Sequence, residues 1–199
     1  MLELINFLSN TYEARLKELN ADLAAERMKI KDLEEKIEID PLVNILNRRG
    51  FERELNRLIT HSSRYQTSAA LVFIDLDNFK AINDRWGHSV GDRALQLVAG
   101  AIARSLRASD AVARIGGDEF AVLLWQISES NALQKARGIE DILANIEILS
   151  ADGSFTIGTI GASAGVATIS PSDRANEIVE RADAAMYSRK SHRGRELAA

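Results

Sequence analysis

The sequence predicts an α+β domain, helices packed on a central, mainly antiparallel sheet, behind one long N-terminal helix. Three observations point there. The candidate elements run helix, strand, helix, helix, hairpin, helix, strand, helix, and the hairpin at ARIGGDEFAVLLW (Ala113–Trp125) excludes an all-parallel, doubly wound sheet. The run LVFI (Leu71–Ile74) is apolar without interruption, as a strand covered on both faces must be. The opening residues instead repeat apolar positions alternately three and four apart.

That repeat comprises Leu2, Ile5, Ser9, Tyr12, Leu16, Leu19, Leu23, Glu26, Ile30, Leu33 and Ile37, broken only at Ser9 and Glu26. It is the seam of a coiled coil, with Glu18, Arg27, Lys29, Lys31, Glu34, Glu35 and Lys36 on the other faces, and a parallel homodimer is the preferred reading. The competing reading is one amphipathic helix folded back on the domain. Against it, roughly 37 helical residues extend about 55 Å, beyond a small domain's diameter. Asp40-Pro41 ends the arm, because proline disfavours helical geometry at the residue before it and cannot donate to the helix ladder. The predicted division is therefore an arm over 1–39 and a globular domain over 40–199.

Within the globular part, residues 42–65 have helical periodicity through Phe51, Leu55 and Leu58, with Gly50 marking a bend or a helix start. SAALVFIDLD follows as a buried strand. A short helix, a glycine-punctuated loop and a longer helix bearing Ala94, Leu95, Leu97, Val98, Ile102 and Leu106 come next. After the hairpin, residues 131–147 look helical. Residues 155–168 supply one or two strands broken by Gly158, Gly161 and Gly165, and residues 176–190 make a final helix.

Composition narrows the function. The 199 residues, 46% hydrophobic and 27% charged, suffice for one domain plus an appendage. A net charge of −4 excludes a surface that coats nucleic acid. The chain has no cysteine, so disulfides and thiolate metal sites are excluded, which suits a reducing cytoplasm and leaves any metal to oxygen or histidine. The opening segment carries Glu3 inside its apolar patch, lacks a basic n-region and never reaches the ~20 apolar residues of a membrane span. A cytoplasmic protein without a membrane segment is expected.

Chemistry collects at two places. Asp75 and Asp77 stand at the carboxyl end of the first strand, and alternation puts them on one face. Asp118 and Glu119 occupy the hairpin turn. Taken singly, D-L-D reads best as a helix cap and G-G-D-E as a hairpin turn. Together, on neighbouring strands, they would form an all-oxygen cluster suited to Mg²⁺ or Mn²⁺, since clustered carboxylates ionise against their own repulsion.

With these motifs in hand, the sequence resembles the GGDEF family of diguanylate cyclases. The resemblance runs from Asp40 to about Arg195. It is carried by DPLVNILNRRGF (Asp40–Phe51), FIDLDNFKAINDRWGHSVGD (Phe73–Asp92), RIGGDEF (Arg114–Phe120), SAGVA (Ser163–Ala167) and ADAAMYSRK (Ala182–Lys190). It implies a fold like the polymerase palm and nucleotide cyclases, and condensation of two GTP into cyclic di-GMP with release of pyrophosphate. By the same resemblance, Asp75, the Leu76 carbonyl and one or both of Asp118 and Glu119 hold two Mg²⁺ ions, with Mn²⁺ as substitute, and Asp118 helps deprotonate the attacking 3′-hydroxyl. Lys80 and Lys190 match phosphate-stabilising positions, and the amides of Asn78, Phe79 and Lys80 would form a phosphate-binding turn.

The same resemblance assigns Asn83 and Asp92 to guanine, whose N1–H and exocyclic amine both donate to a carboxylate; the plainer reading of both is loop capping. Arg107-x-x-Asp110 matches the family's inhibitory product site, where the plainer reading is a solvated turn. The implied enzyme works as a dimer, because each domain supplies one nucleophile and one electrophile. The alternative is a catalytically silent cyclic di-GMP receptor using Arg107 and Asp110, against which Asp75 and the intact Gly116–Phe120 signature stand. Two departures from the pattern are visible. Val43 and Asn44 occupy positions where the family usually has Thr and Gly, which bears on coupling between arm and domain, and the glycine after Lys190 is shifted by one, which leaves the phosphate contact open between Arg193 and Arg195.

Overall fold

The structure is a computed structural model describing residues 2–34, 38–150 and 152–196. It forms two compact units, Met1–Ile37 and Glu38–Ala199. The first unit is a single helix, α1 (Leu2–Glu34), on which Tyr12, Leu16, Leu19, Leu23 and Leu33 of the repeat are exposed. Ile37 and the side chains of Leu2, Ile5, Ser9 and Ile30 lie outside the described residues. The division falls before Glu38 instead of after Ile39. Glu38 and Ile39 belong to the domain because the Glu38 carbonyl accepts from Asn47 N at 2.8 Å and Ile39 bridges to Leu46.

The domain is built on a four-stranded sheet in the order β2-β3-β1-β6: β1 (Ala69–Leu76), β2 (Ala111–Arg114), β3 (Glu119–Trp125) and β6 (Ala162–Ile169). Every neighbouring pair is antiparallel, as predicted. Alternation along β1 divides the interior. Ala70, Val72, Ile74 and Leu76 face one layer with Phe120, Val122 and Leu124, against α3 (Phe79–Trp86), α4 (His88–Ser105) and α5 (Glu129–Ala144). Leu71 and Phe73 face the other with Ala121 and Leu123, against α2 (Arg48–Tyr65) and α6 (Ala175–Glu196). Burial on both faces explains the unbroken apolar run. Each fully buried Leu or Phe here stabilises the fold by about 1.5–3 kcal/mol.

Local chemistry sets the element ends. Helix α2 starts at Arg48 because Asn47 caps it, its side chain accepting from Gly50 N at 3.0 Å. The preceding residues, expected to be helical, instead make a turn around Asp40, whose Oδ1 accepts from Leu42 N and Val43 N at 2.9 and 3.1 Å. Asn44 in that turn has φ 54, a left-handed conformation that Gly and Asn adopt most readily, and Val43 is buried in the core. Asn44 thus takes a conformation equally open to glycine, and Val43 adds to the core.

The glycine-punctuated loop between α3 and α4 contracts to Gly87 alone, with φ 83. Helix α5 stops at Ala144, short of the expected 147, where Asn145 caps it. Residues Glu147–Leu149 then form β4, a strand that the helical pattern concealed. It pairs with β5 (Thr156–Thr159) in a separate small hairpin whose Phe155 packs edge-on against Trp86, ring centroids 5.8 Å apart. Among the described residues no helix is long and apolar enough to cross a membrane.

Candidate active site

Strand pairing brings the two acidic motifs together. In the β1–β3 register Asp75 lies directly opposite Glu119, so their side chains share the face toward α2 and α6. The Lys190 ammonium of α6 donates to Asp75 Oδ1. Burial by itself would lower the Lys190 pKa, but the hydrogen bond to Asp75 and the charges of Asp75, Asp77 and Asp118 outweigh it and raise it. Glu119 is raised as well, first by desolvation and then by repulsion from Asp75, Asp118 and Asp183, with Arg48 opposing. The end of β1 is therefore a concentration of negative charge held in partial check by two cations.

The hairpin turn holds Asp118 close by. Ile115 N donates to the Glu119 carbonyl at 3.0 Å, and the Asp118 carbonyl accepts from Leu76 N at 3.1 Å. At Gly116 a side chain would displace the Glu119 carboxylate, whereas Gly117 faces open space. Arg114 donates to the Gly117 carbonyl from Nε and Nη2 at 3.2 and 2.8 Å and braces the tip.

Asp77 lies just beyond the strand. Its amide donates to the Gly161 carbonyl at 2.8 Å and its Oδ1 accepts from Ser163 Oγ at 3.0 Å. Among the described residues no group of three or more acidic or histidine side chains is close enough to hold a metal ion. The expected oxygen cluster is present as an Asp75–Glu119 pair with Asp118 near it, not as an assembled cage. The physical reason is mutual repulsion, with Lys190 in the role of counterion at Asp75. The donor set is all hard oxygen and under-compensated in charge, which fits a divalent cation.

Immediately after β1, Asn78 takes a left-handed conformation (φ 57) and leads into α3 without capping it by its side chain, so the first-turn amides at Phe79 and Lys80 have no side-chain cap there. Lys80 is exposed and the Phe79 ring is buried in the core. Asn83 is half-buried with its amide against the Gly91 backbone, a contact that only glycine allows, and exposed Asp92 follows Gly91. Asn83 thus lies against the residue that precedes Asp92, where α3 meets α4. The side chains of Arg193 and Arg195 lie outside the described residues.

Arg107 and Asp110 stand at the opposite end of the sheet, where Ala69 pairs with Trp125. Six residues of strand separate the two ends, about 20 Å. Asp110 Oδ2 accepts from Arg107 N at 3.1 Å and Oδ1 from Trp125 N at 3.2 Å, so this carboxylate organises the turn. A cavity of about 470 Å³ adjoins it, lined by Arg107, Asp110, Trp125, Gln126 and Lys135 among others. The plainer turn reading thus holds for Asp110, while Arg107 remains exposed.

Sequence reasoning missed Arg48, Arg114 and Asp183 as parts of the acidic end. All three lie inside the matched motifs, but nothing local announces which charge they face.

A family model described as Diguanylate cyclase, GGDEF domain matches residues 37–196. The chain belongs to this GGDEF family. Diguanylate cyclase DosC of Escherichia coli strain K12 is 36% identical over 157 residues, covering 79% of this chain and 34% of the relative. Diguanylate cyclase TpbB of Pseudomonas aeruginosa strain UCBPP-PA14 is 39% identical over 181 residues, covering 89% of this chain and 38% of the relative. The chain thus spans a little over a third of the length of these two curated relatives. The coiled coil and GGDEF domain of DgcB from Caulobacter crescentus, solved in complex with c-di-GMP, is similar with a TM-score of 0.76 and 30% identity, covering 90% of this chain and 94% of that one. The antiparallel GGDEF fold is therefore a family feature in this chain.

Proposed function

We propose that this GGDEF domain is a diguanylate cyclase that condenses two GTP into cyclic di-GMP and pyrophosphate. The observation that carries the reading is the Asp75–Glu119 pair, two carboxylates set side by side across β1 and β3 with Asp118 on the adjoining turn. Asp75, the Leu76 carbonyl, Asp118 and Glu119 would hold two Mg²⁺ or Mn²⁺ ions. When bound, these ions neutralise charge on the triphosphate and lower the pKa of the attacking hydroxyl.

The chain's own groups do the rest. Lys80 and Lys190 face the phosphates, which requires Lys190 to exchange Asp75 for a phosphate oxygen as a cation arrives. The Phe79 and Lys80 amides cradle another phosphate at the start of α3. Asp92 accepts from the guanine N1–H and exocyclic amine and Asn83 donates to an acceptor on the same base; a carboxylate there rejects adenine, which lacks the paired donors. Asp118 takes the proton from the 3′-hydroxyl. Two domains must face each other, and the exposed apolar seam of α1 supports a homodimer that raises their effective concentration. Arg107, with the cavity beside it, is read as the inhibitory site for the product, in a cytoplasmic protein.

The test is incubation of purified protein with GTP and Mg²⁺, with nucleotides resolved by chromatography against Asp118→Ala. Cyclic di-GMP from the wild type alone supports the reading. Tight cyclic di-GMP binding without turnover would replace the cyclase with a receptor.

A further inference from the structure

Glu140 is 4% exposed on the face of α5 that otherwise carries Ala132, Ala136, Ile139 and Leu143 into the core. An ionised carboxylate there is costly unless it is paired and hydrogen-bonded. It is both. Oε1 accepts from Ala164 N, on the edge strand β6, at 2.9 Å, and the Arg189 guanidinium donates to Oε1 and Oε2 at 3.3 and 2.9 Å. Arg189 immediately precedes Lys190.

Helix α6 is anchored unevenly. Ile178, Ala182 and Met186 are its buried apolar residues, and Gly165 lets its backbone lie directly on β6 near Ala182 and Met186. From Tyr187 to Ser191, no described apolar side chain is buried. The turn that carries Lys190 is thus held by polar contacts: Arg189 to Glu140 and Lys190 to Asp75. The contacts close a ring, because the dipeptide Ser163-Ala164 binds Asp77 through one residue and Glu140 through the other, while Ser163 pairs in register with Asp75. With Glu140 buried and Arg189 half-exposed, the pair keeps the Glu140 charge compensated and fixes geometry more than it adds stability.

We propose that Glu140 is a positioning residue that acts through Arg189 to set Lys190 against Asp75 and, in the working site, against the nucleotide phosphates. The nucleotide part rests on the cyclase reading above; the Glu140–Arg189–Lys190 coupling does not. Glu140→Gln keeps an acceptor for Ala164 N and removes the charge facing Arg189. It is expected to lower kcat/KM for GTP by about ten- to a hundredfold, the scale of a small misplacement of a substrate-orienting group. In a Lys190→Ala background the same change should have less than about a twofold effect, because coupled residues are non-additive. Equal losses in both backgrounds would overturn the proposal.

A second readout needs no nucleotide. The rate at which an activated acetyl ester modifies each lysine, followed by peptide mass spectrometry, should rise several-fold at Lys190 in Glu140→Gln and stay unchanged at Lys135, which lies on the same helix as Glu140. Arg189→Met, at a half-exposed position, should behave alike and guards against misfolding of the buried variant. An unchanged Lys190 rate in both variants sinks the proposal whether or not the chain makes cyclic di-GMP. A raised rate in a chain that makes none sustains the coupling and removes the cyclase reading instead.

Discussion

Arg114 Nη1 donates to Asp40 Oδ2 at 3.3 Å while its Nη2 donates to the Gly117 carbonyl at 2.8 Å. One guanidinium thus joins the hairpin tip to the turn that opens the domain. Both members of the ion pair are 17% exposed, so the contact is only weakly screened by solvent. Arg114→Gln is expected to cost about 1–3 kcal/mol, the scale of a partly buried charged hydrogen bond left without its partner. Urea unfolding checks this, and Arg114→Lys should not rescue it, because an ammonium cannot span both acceptors as a planar fork does.

The two glycines of the turn should behave differently. Gly116→Ala displaces the Glu119 carboxylate, while a methyl on Gly117 meets nothing in the chain. Gly117→Ala should therefore unfold within about 0.5 kcal/mol of the wild type. If the open space over Gly117 admits the nucleotide, the same variant raises KM for GTP by about tenfold. A melting curve and a steady-state assay on one preparation separate the two effects.

The raised pKa of Glu119 makes a signed prediction. An acid whose folded pKa exceeds its unfolded value binds its proton more tightly in the native state, so its ionised form destabilises the fold at neutral pH. That destabilisation fades as pH falls through the raised pKa and is gone below the ordinary value of 4.5. Glu119→Gln should melt above the wild type at pH 7, with the gap closing on acidification. A bound cation relieves the same repulsion, so Mg²⁺ should raise the wild-type melting temperature and do little for the variant.

Arg107 and Asp110 need separate treatment in any test of product inhibition. Asp110→Ala strips the acceptor from Arg107 N and Trp125 N and should cost about 1–3 kcal/mol. Arg107→Ala removes an exposed side chain and should leave the melting temperature unchanged while raising the cyclic di-GMP concentration that half-inhibits turnover by about tenfold or more. Unchanged inhibition would reassign the cavity beside Trp125.

Much of the architecture was legible because it depends on short-range patterns. LVFI marks the central strand, the hairpin turn marks an antiparallel pair, and the matched motifs announce the family before any coordinates. Glu147–Leu149 was not legible: three residues following a helical run carry no period of their own, and pairing with Thr156–Thr159 across the intervening turn decides them. Asn44 illustrates a middle case. Its identity looks like a departure, and only φ 54 shows that it serves the same turn that glycine would.

By itself, the sequence determined the antiparallel α+β domain, the family and the acids available for chemistry, since periodicity, turn residues and spaced motifs act locally along the chain. Tertiary structure alone decided which charges meet: Asp75 with Glu119 through strand register, Lys190 with Asp75 across 115 positions, and Glu140 with Arg189 across 49. Those meetings depend on how helices lie across the sheet, and no local signal in a chain encodes the partner of a charge that folding brings from so far away.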